Sequence, residues 1–510
     1  MTRILCAILT GLVFAAAAGV RPASARADDH PSAPGESGGA AGRQGAAAGD
    51  PIVGMWWGRI GEEPEAEDAG IEFRRTEAGS IEACITLPIM SYYGLKTDGP
   101  VVRDGDSFDI KSIGLSGKIA GDAIDGFTGS KRTLHLARAA SLPASPAMPD
   151  LPRGPEPLWT VQLGAPVYAP VAVRDGVAYI GTVGGVFQAV RLRDHTLAWT
   201  FSAGRPVFGG ALVTDDAVYF ACDNGYLFKL DRATGKESWR YDLGDARVSR
   251  VLGHSAVFDF DHAGPCPVIE GGVVYIGSGD GSLHAVDSAS GSRLWRADSG
   301  GGAKVRTDAA VDAERVFVGT LEGKLLAFSR KDGSPVWNKD VAGPVTSNPR
   351  LIEGMLIVGS RGSVLRAMRP ENGESIWKKS YWGSWVESTP TAIDDGLVIG
   401  SSDLRRITRH DLTDGKVRWR TDVFGLAWGQ PAVHGGRVYV ATSGIEPYVV
   451  RHEGAVLALD GATGAIEWRW PAPRCDHAMH TGFAAGPVID GETLLVAGLD
   501  GSLYAFALGS

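Results

Sequence analysis

Eight tryptophans set the frame of this chain. Trp159, Trp199, Trp239, Trp295, Trp337, Trp377, Trp419 and Trp468 follow one another at intervals of 40, 40, 56, 42, 40, 42 and 49 residues. Their surroundings repeat as well. Glycine stands four residues before the tryptophan at Gly235, Gly291, Gly333, Gly373, Gly415 and Gly464, and His195 is the one departure. Aspartate stands eight before at Asp231, Asp287, Asp411 and Asp460. The stretches CDNGYLFKLDRATGKESW (222–239) and SGDGSLHAVDSASGSRLW (278–295) show the unit at its plainest. A chain that rewrites one short unit many times folds as an array, each unit burying its face on the next.

Each repeated position has a physical reading. An alternating strand such as GSLHAVD leads to the aspartate, whose side chain accepts backbone N–H groups in the following turn. Glycine supplies the conformation that closes that turn. The tryptophan then sits on the next strand as a large apolar plate for a neighbouring unit. Upstream come a second strand (GGVVYIGSGDG, DDAVYFACDNG, GGRVYVATSG) and, before it, a short apolar run. Four strands per unit of about 40 residues predict the blades of a β-propeller. The last unit, GETLLVAGLDGSLYAFALGS, stops before any tryptophan, and Trp159 has no strands of its own before it. The strand at Trp159 therefore completes the last blade, giving eight blades and a ring without a long open edge.

The pattern A-x-D-x-x-T-G-x-x-x-W, best seen in ALDGATGAIEW (458–468), resembles the pyrroloquinoline-quinone-type propeller repeat. The resemblance covers about 350 residues, and it implies the fold more firmly than any activity. The repeat is shared by quinoprotein alcohol dehydrogenases and by the cofactor-free BamB-like propellers of outer-membrane β-barrel assembly. For the dehydrogenases the resemblance implies a vicinal disulfide stacked on the quinone, long insertions between strands, calcium ligands and a catalytic aspartate. This chain has no adjacent cysteines, and most of its intervals are 40–42 residues. Its repeat residues are structural, so function has to be argued from loops and funnel.

Ahead of the repeats, MTRILCAILTGLVFAAAAGVRPASARADD reads as an export signal: an early arginine, an apolar stretch from Ile4 to Val20, then an A-x-A site at Ala25–Ala27. Residues 28–50 carry no large apolar side chain and cannot bury a core. Residues 51–138 contain strand-like runs (IEFRRTE, SIEACITLPI, DSFDIKSI, RTLHLARA) and predict a small antiparallel β-barrel or sandwich. The opening GMWWG and closing TLHLAR resemble small lipocalin-like barrels. Six prolines make 139–157 a stiff linker to the propeller at 158–510. Cys84, Cys222, Cys266 and Cys475 remain after the leader; an exported chain permits disulfides among them, with three full pairings open. With a net charge of −9 and no basic block, the composition speaks against a nucleic-acid partner.

Function in a propeller lies on its loops and central funnel. The residues leading into the innermost strands include Tyr168, Phe208, Arg250, Arg306, Asp308, Asn348, Trp385, Glu387, Trp428, Gln430, His480 and Phe483. Two arginines, two acids, amides and aromatics suit an anionic, planar ligand; a solvated funnel of mixed charge fits the same residues. The 56-residue interval holds GHSAVFDFDHAGPC (253–266), the 49-residue interval reflects the within-blade insertion SGIEPYVVRHEG (443–454), and the connection after Trp468 holds RCDHAMH (474–480); the first and the last each carry an Asp-His pair and a cysteine. His254, Asp259, Asp261, His262, Asp476, His477 and His480 are the candidates for a zinc, iron or copper site, with Cys475 and Met479 favouring copper. The alternative is that they are hydrogen-bonding loop residues. A Cys266–Cys475 disulfide across the funnel is a further option.

These observations lead to an exported, non-catalytic binding or scaffold propeller. Its expected partner is a protein or another cell-envelope component, with no resident cofactor, no membrane span in the mature chain and a monomeric state. The competing reading is a redox protein using the funnel with quinone and calcium or a transition metal, and a carbohydrate- or cell-wall-binding propeller is a third.

Overall fold

The computed structural model describes residues 50–508 apart from 64, 248–249, 251–260, 446–449 and 476–479. They form two compact units, one made of residues 146–510 with a short piece at 89–91, the other of the remaining N-terminal residues.

The smaller unit holds one nine-stranded antiparallel sheet, a curled half-barrel. Its first strand, Gly54–Ile60, pairs with both the second, Glu67–Arg75, and the ninth, Thr133–Ala139. The meander therefore curls back on itself, and the fourth strand, Tyr92–Lys96, and the fifth, Val102–Asp104, form the two edges. Of the two architectures expected, barrel and sandwich, the structure selects the curled sheet. Trp56 is fully buried, donates its indole N–H to the Ile52 carbonyl at 2.8 Å, and lies under the Arg138 guanidinium at 4.2 Å.

The larger unit is an eight-bladed propeller of four-stranded antiparallel blades. Blades 1 to 7 span 172–202, 212–242, 268–298, 310–340, 350–380, 391–422 and 432–471. Blade 8 combines Val488–Asp490, Thr493–Ala497 and Ser502–Ala507 with the distant Trp159–Gln162, which pairs Trp159 opposite Ala505. Ring closure by the strand at Trp159 is thus as expected from the sequence. The closing segment starts earlier still. Arg469 donates its N–H to the Pro152 carbonyl and Gly154 donates to Arg469, each at 2.9 Å, so 152–154 lies along the outer strand of blade 7.

The repeat residues stitch neighbouring blades. In the turn after the third strand, Asp231, Asp287 and Asp460 accept backbone N–H groups at 2.7–2.8 Å and also the hydroxyls of Thr234, Ser290 and Thr463 at 2.6–2.7 Å. Gly415 closes its turn at φ +69°, and a Cβ there would meet the Trp377 ring of the preceding blade at 2.6 Å. The indole N–H of each tryptophan from Trp199 to Trp419 reaches a carbonyl of the following blade: Arg232, Ser288, Arg330, Pro370, Leu412 and Gly461, at 2.8–3.3 Å. Each such tie is worth about 1 kcal/mol net, on top of the buried ring. Trp468 packs on Gly154. Trp159 stacks on His195, centroids 4.6 Å apart, where the other units present glycine.

One regular feature escapes the sequence pattern. In each of blades 1 to 7 the register slips immediately before the tryptophan, a β-bulge that leaves one residue unpaired. Bulges disrupt the ladder of an outermost strand and blunt an edge that would otherwise recruit other strands.

Candidate functional site at the funnel mouth

The connection from blade 2 to blade 3 brings Asp261 and His262 over the ring axis. His262 is half-buried and stacks on the Trp428 ring, centroids 4.8 Å apart and planes 30° from parallel. Trp428 leads into blade 7, which stands opposite blade 3 in a ring of eight. The Tyr168 ring, leading into blade 1, is 6.3 Å away. Burial pushes the His262 pKa down to about 4, with the Glu387 carboxylate opposing and the Arg361 guanidinium assisting. The ring is neutral at pH 7.

Asp261, 7% exposed, gathers three cations. Arg250 Nη1 reaches Asp261 Oδ1 at 3.0 Å, Arg306 Nη2 reaches Oδ2 at 2.9 Å, and Lys304 Nζ lies 3.7 Å from Oδ2. Each arginine has a second acid. Arg250 grips Asp223 with two bonds of 2.7 Å, and Arg306 Nη1 donates to Asp245 Oδ2 at 2.6 Å. Burial alone would raise the Asp261 pKa, but Arg250 and Arg306 outweigh it and hold the carboxyl below its usual range. Arg250 also lies over the Phe208 ring at 4.4 Å. Gly279 makes room for this cluster: a Cβ there would stand 1.9 Å from Asp245 Oδ1.

A second pair faces it. Arg361 contacts Glu387 Oε1 through Nε at 2.9 Å and Nη2 at 2.8 Å, and Thr346 Oγ1 donates to the same oxygen at 3.0 Å. Arg361 also covers the Trp385 ring at 4.3 Å. Burial works to raise the Glu387 pKa; the Arg361 guanidinium overcomes it and keeps the acid ionised. Its buried Oε2 has no hydrogen-bond partner among the described residues.

Two residues further along each lead-in lies another set. Asp308 Oδ1 accepts the Cys266 N–H at 2.7 Å, the Asp308 N–H donates to Asn348 Oδ1 at 2.8 Å, and Arg350 Nη2 donates to Gln430 Oε1 at 3.2 Å. Burial raises the pKa of Asp308 and carries the Cys266 thiol well above its ordinary value.

The funnel candidates thus divide into two sets. Arg250, Arg306, Trp385, Glu387 and Trp428 surround the mouth with Asp261 and His262; Asp308, Asn348 and Gln430 belong to the set beyond. Phe483 is not a funnel residue, because it is 1% exposed in the core of blades 7 and 8 beside Tyr504. Of the metal candidates, His254, Asp259, Asp476 and His477 lie outside the described residues. His480 is described only through its backbone, paired with Ile445 of blade 7. Among the described residues no group of three His, Cys, Asp or Glu side chains forms a metal-holding cluster.

The expected Cys266–Cys475 disulfide does not form: neither residue, nor Cys84 or Cys222, is in a disulfide among the described residues. Cys266 is fixed by its bond to Asp308, whereas Cys475 lines a separate open cavity of roughly 580 Å³ with Pro166, Val183, Leu499 and Asp500, between blades 8 and 1. Sequence reasoning missed Arg361, Lys304, Asp223 and Asp245. The two aspartates sit in turns whose composition reads only as turn chemistry.

Comparison with known proteins places this architecture. The family model described as outer membrane protein assembly factor BamB matches residues 154–283, 279–384 and 360–509, most of the propeller. The chain belongs to the BamB family. It is 28% identical over 329 residues to BamB of Yersinia pestis, covering 56% of this chain and 81% of that one. It is 24% identical over 271 residues to the quinohemoprotein alcohol dehydrogenase of Comamonas testosteroni, but over only 31% of that enzyme. Solved structures agree on the fold. BamB from Moraxella catarrhalis superposes with a TM-score of 0.52 at 18% identity, covering 68% of this chain and 96% of that one. The Comamonas dehydrogenase gives 0.54 at 16% identity, covering 69% and 76%. Among the described residues no helix is long and apolar enough to cross a membrane.

Proposed function

We propose that this BamB-family chain is an exported, non-catalytic propeller that binds a protein partner in the cell envelope and serves outer-membrane protein assembly. One observation carries the non-catalytic part: the chain's own His262 covers the Trp428 ring, so that aromatic face is already taken by the protein itself. The arginines suited to a carboxylate-bearing ligand are already engaged by Asp261, Asp223 and Asp245. The BamB relatives support the assembly role, and the leader-like first 27 residues support export.

The test is reconstitution of the mature protein with pyrroloquinoline quinone and Ca²⁺, followed by dye-linked oxidation of alcohols and sugars. Turnover equal to a no-enzyme control is the expected result. Clear turnover overturns the non-catalytic reading in favour of a quinone-dependent oxidoreductase. Deleting the gene in its native host should lower the level of outer-membrane β-barrel proteins, and unchanged levels would remove the assembly role.

A further inference from the structure

Prolines recur at every third residue in one stretch of the chain: Pro143, Pro146, Pro149, Pro152 and Pro155. A proline ring fixes φ at about −65°, and the residue before a proline is pushed out of the helical region into extended conformations. Two of every three residues along this stretch are therefore restricted to polyproline II, a left-handed helix of about three residues per turn. That period sorts the side chains into columns. The prolines form one ridge. Leu142, Ser145, Met148, Leu151 and Gly154 form a second, and Ala144, Ala147, Asp150, Arg153 and Glu156 form the third.

The structure agrees. Residues 141–152 carry neither helix nor strand, and among the described residues none of 141–151 enters a backbone hydrogen bond. Polyproline II has no internal hydrogen bonds to make. All five prolines are exposed. Arg153 and Glu156, neighbours in the third column, form an ion pair at 2.5 Å.

The chain itself shows how such a ridge is read. At its last turn Arg153 pairs in parallel with Arg469, Gly154 lies where a Cβ would stand 2.5 Å from the Trp468 ring, and Trp470 donates its indole N–H to Glu156. At its first turn Leu142 lies against Gly70, where a Cβ would stand 2.8 Å from Leu142 Cδ2. In the sequence between them, the pairs Ser145–Pro146, Met148–Pro149 and Leu151–Pro152 keep their prolines in the open, and Met148 is 47% exposed. Stiffness asks only for the prolines. An apolar residue ahead of successive prolines adds what a polyproline-binding groove takes between its aromatic rings.

We propose that residues 145–152 are a preformed polyproline II ligand, and that the partner is a protein domain whose aromatic-lined groove takes the Met148–Pro149 and Leu151–Pro152 pairs. This names a partner class for the protein-binding reading above and rests on it. The helix is set before binding, so little ordering entropy opposes the contact.

The probe is a photo-crosslinking side chain, p-benzoylphenylalanine, placed at Ala147 of the full chain in its native host, since Ala147 belongs to neither apolar ridge. Irradiation should give one discrete adduct, attached on the partner beside clustered aromatic residues. The double variant Pro146→Ala, Pro149→Ala should lower the adduct yield at least roughly tenfold with the melting temperature of the chain unchanged, because both prolines are exposed. Met148→Ser, which leaves every proline in place, should lower the yield as well, and Met148→Leu should restore it. If the double variant accumulates poorly, the Met148 pair decides alone. An adduct undiminished in these variants, an attachment surface without aromatic residues, or no adduct at all overturns the proposal and leaves the segment a spacer. Unchanged outer-membrane protein levels in the deletion strain would instead remove the assembly role and leave this result standing.

Discussion

His410 shows how a single residue links burial to pH dependence. It is 1% exposed; its Nδ1–H donates to the Gly415 carbonyl at 2.8 Å, and its Nε2 accepts the Tyr381 hydroxyl at 2.7 Å. Burial pushes its pKa down to about 4, from the ordinary histidine value near 6.5. The unfolded chain therefore binds a proton below pH 6.5 that the folded ring refuses until about pH 4. Stability from this residue is complete above 6.5 and falls as the pH drops toward 4, by on the order of 3 kcal/mol. Denaturant midpoints measured from pH 7.5 to 4.5 should fall, and His410→Gln should remove one proton from that dependence; an unchanged slope would contradict it. The turn glycines give a second test. Gly415→Ala forces both φ +69° and a Cβ 2.6 Å from the Trp377 ring, whereas Gly435→Ala at φ +57° meets nothing within 4 Å. Positive φ alone costs about 1–2 kcal/mol, and the crowding adds about 1–3. Thermal melts should rank Gly415→Ala clearly below Gly435→Ala.

At the scale of the blade, the sequence is legible where chemistry repeats and silent where it does not. The aspartate turn, the glycine and the tryptophan recur because every blade docks on the next in the same way, so one physical reason is written many times over. The bulge before the tryptophan recurs as well, but its residue is Ser238, Leu294, Val336, Ile376 or Arg418 in different blades. A bulge constrains backbone and leaves the side chain free, so composition carries no mark of it. The funnel was legible as a set of residue types leading into inner strands and illegible as a network. Glu387 finds Arg361 26 residues earlier, and Arg306 finds Asp245 61 residues earlier, across blade boundaries. Distances of that kind follow from ring curvature, which no local pattern encodes. Phe483 stands five residues before its inner strand, where blades 1, 2 and 4 to 7 place the fully buried Val167, Val207, Val305, Val345, Val386 and Ala427, so it belongs to the core; the funnel position is one residue later, a distinction that residue type alone does not reveal.

For the whole molecule, closure is the property on which the other layers depend. Seven blades are continuous in sequence, and the eighth is assembled from both ends of the propeller. The junction is more extensive than one strand. Trp159 and Val161 pack with the buried Leu495, Leu503 and Ala505, Gln162 donates to Ser502, and Trp470 donates its indole N–H to Glu156 at 3.3 Å. A chain starting at residue 151 keeps all of these contacts. A chain starting at 166 loses the fourth strand of blade 8, the Trp159–His195 stack and the 152–154 segment that Trp468 packs against. Stripping that strand exposes the Ser502–Ala507 edge, a template for pairing with other chains. The two truncations differ by only 15 residues, yet the first should melt as a cooperative propeller and the second at a distinctly lower temperature, with aggregation that rises with protein concentration. Equal melting temperatures for the two would mean that the ring holds without its clasp, since in an array stabilised only by nearest-neighbour contacts a missing outer strand weakens one seam and leaves the other seven intact.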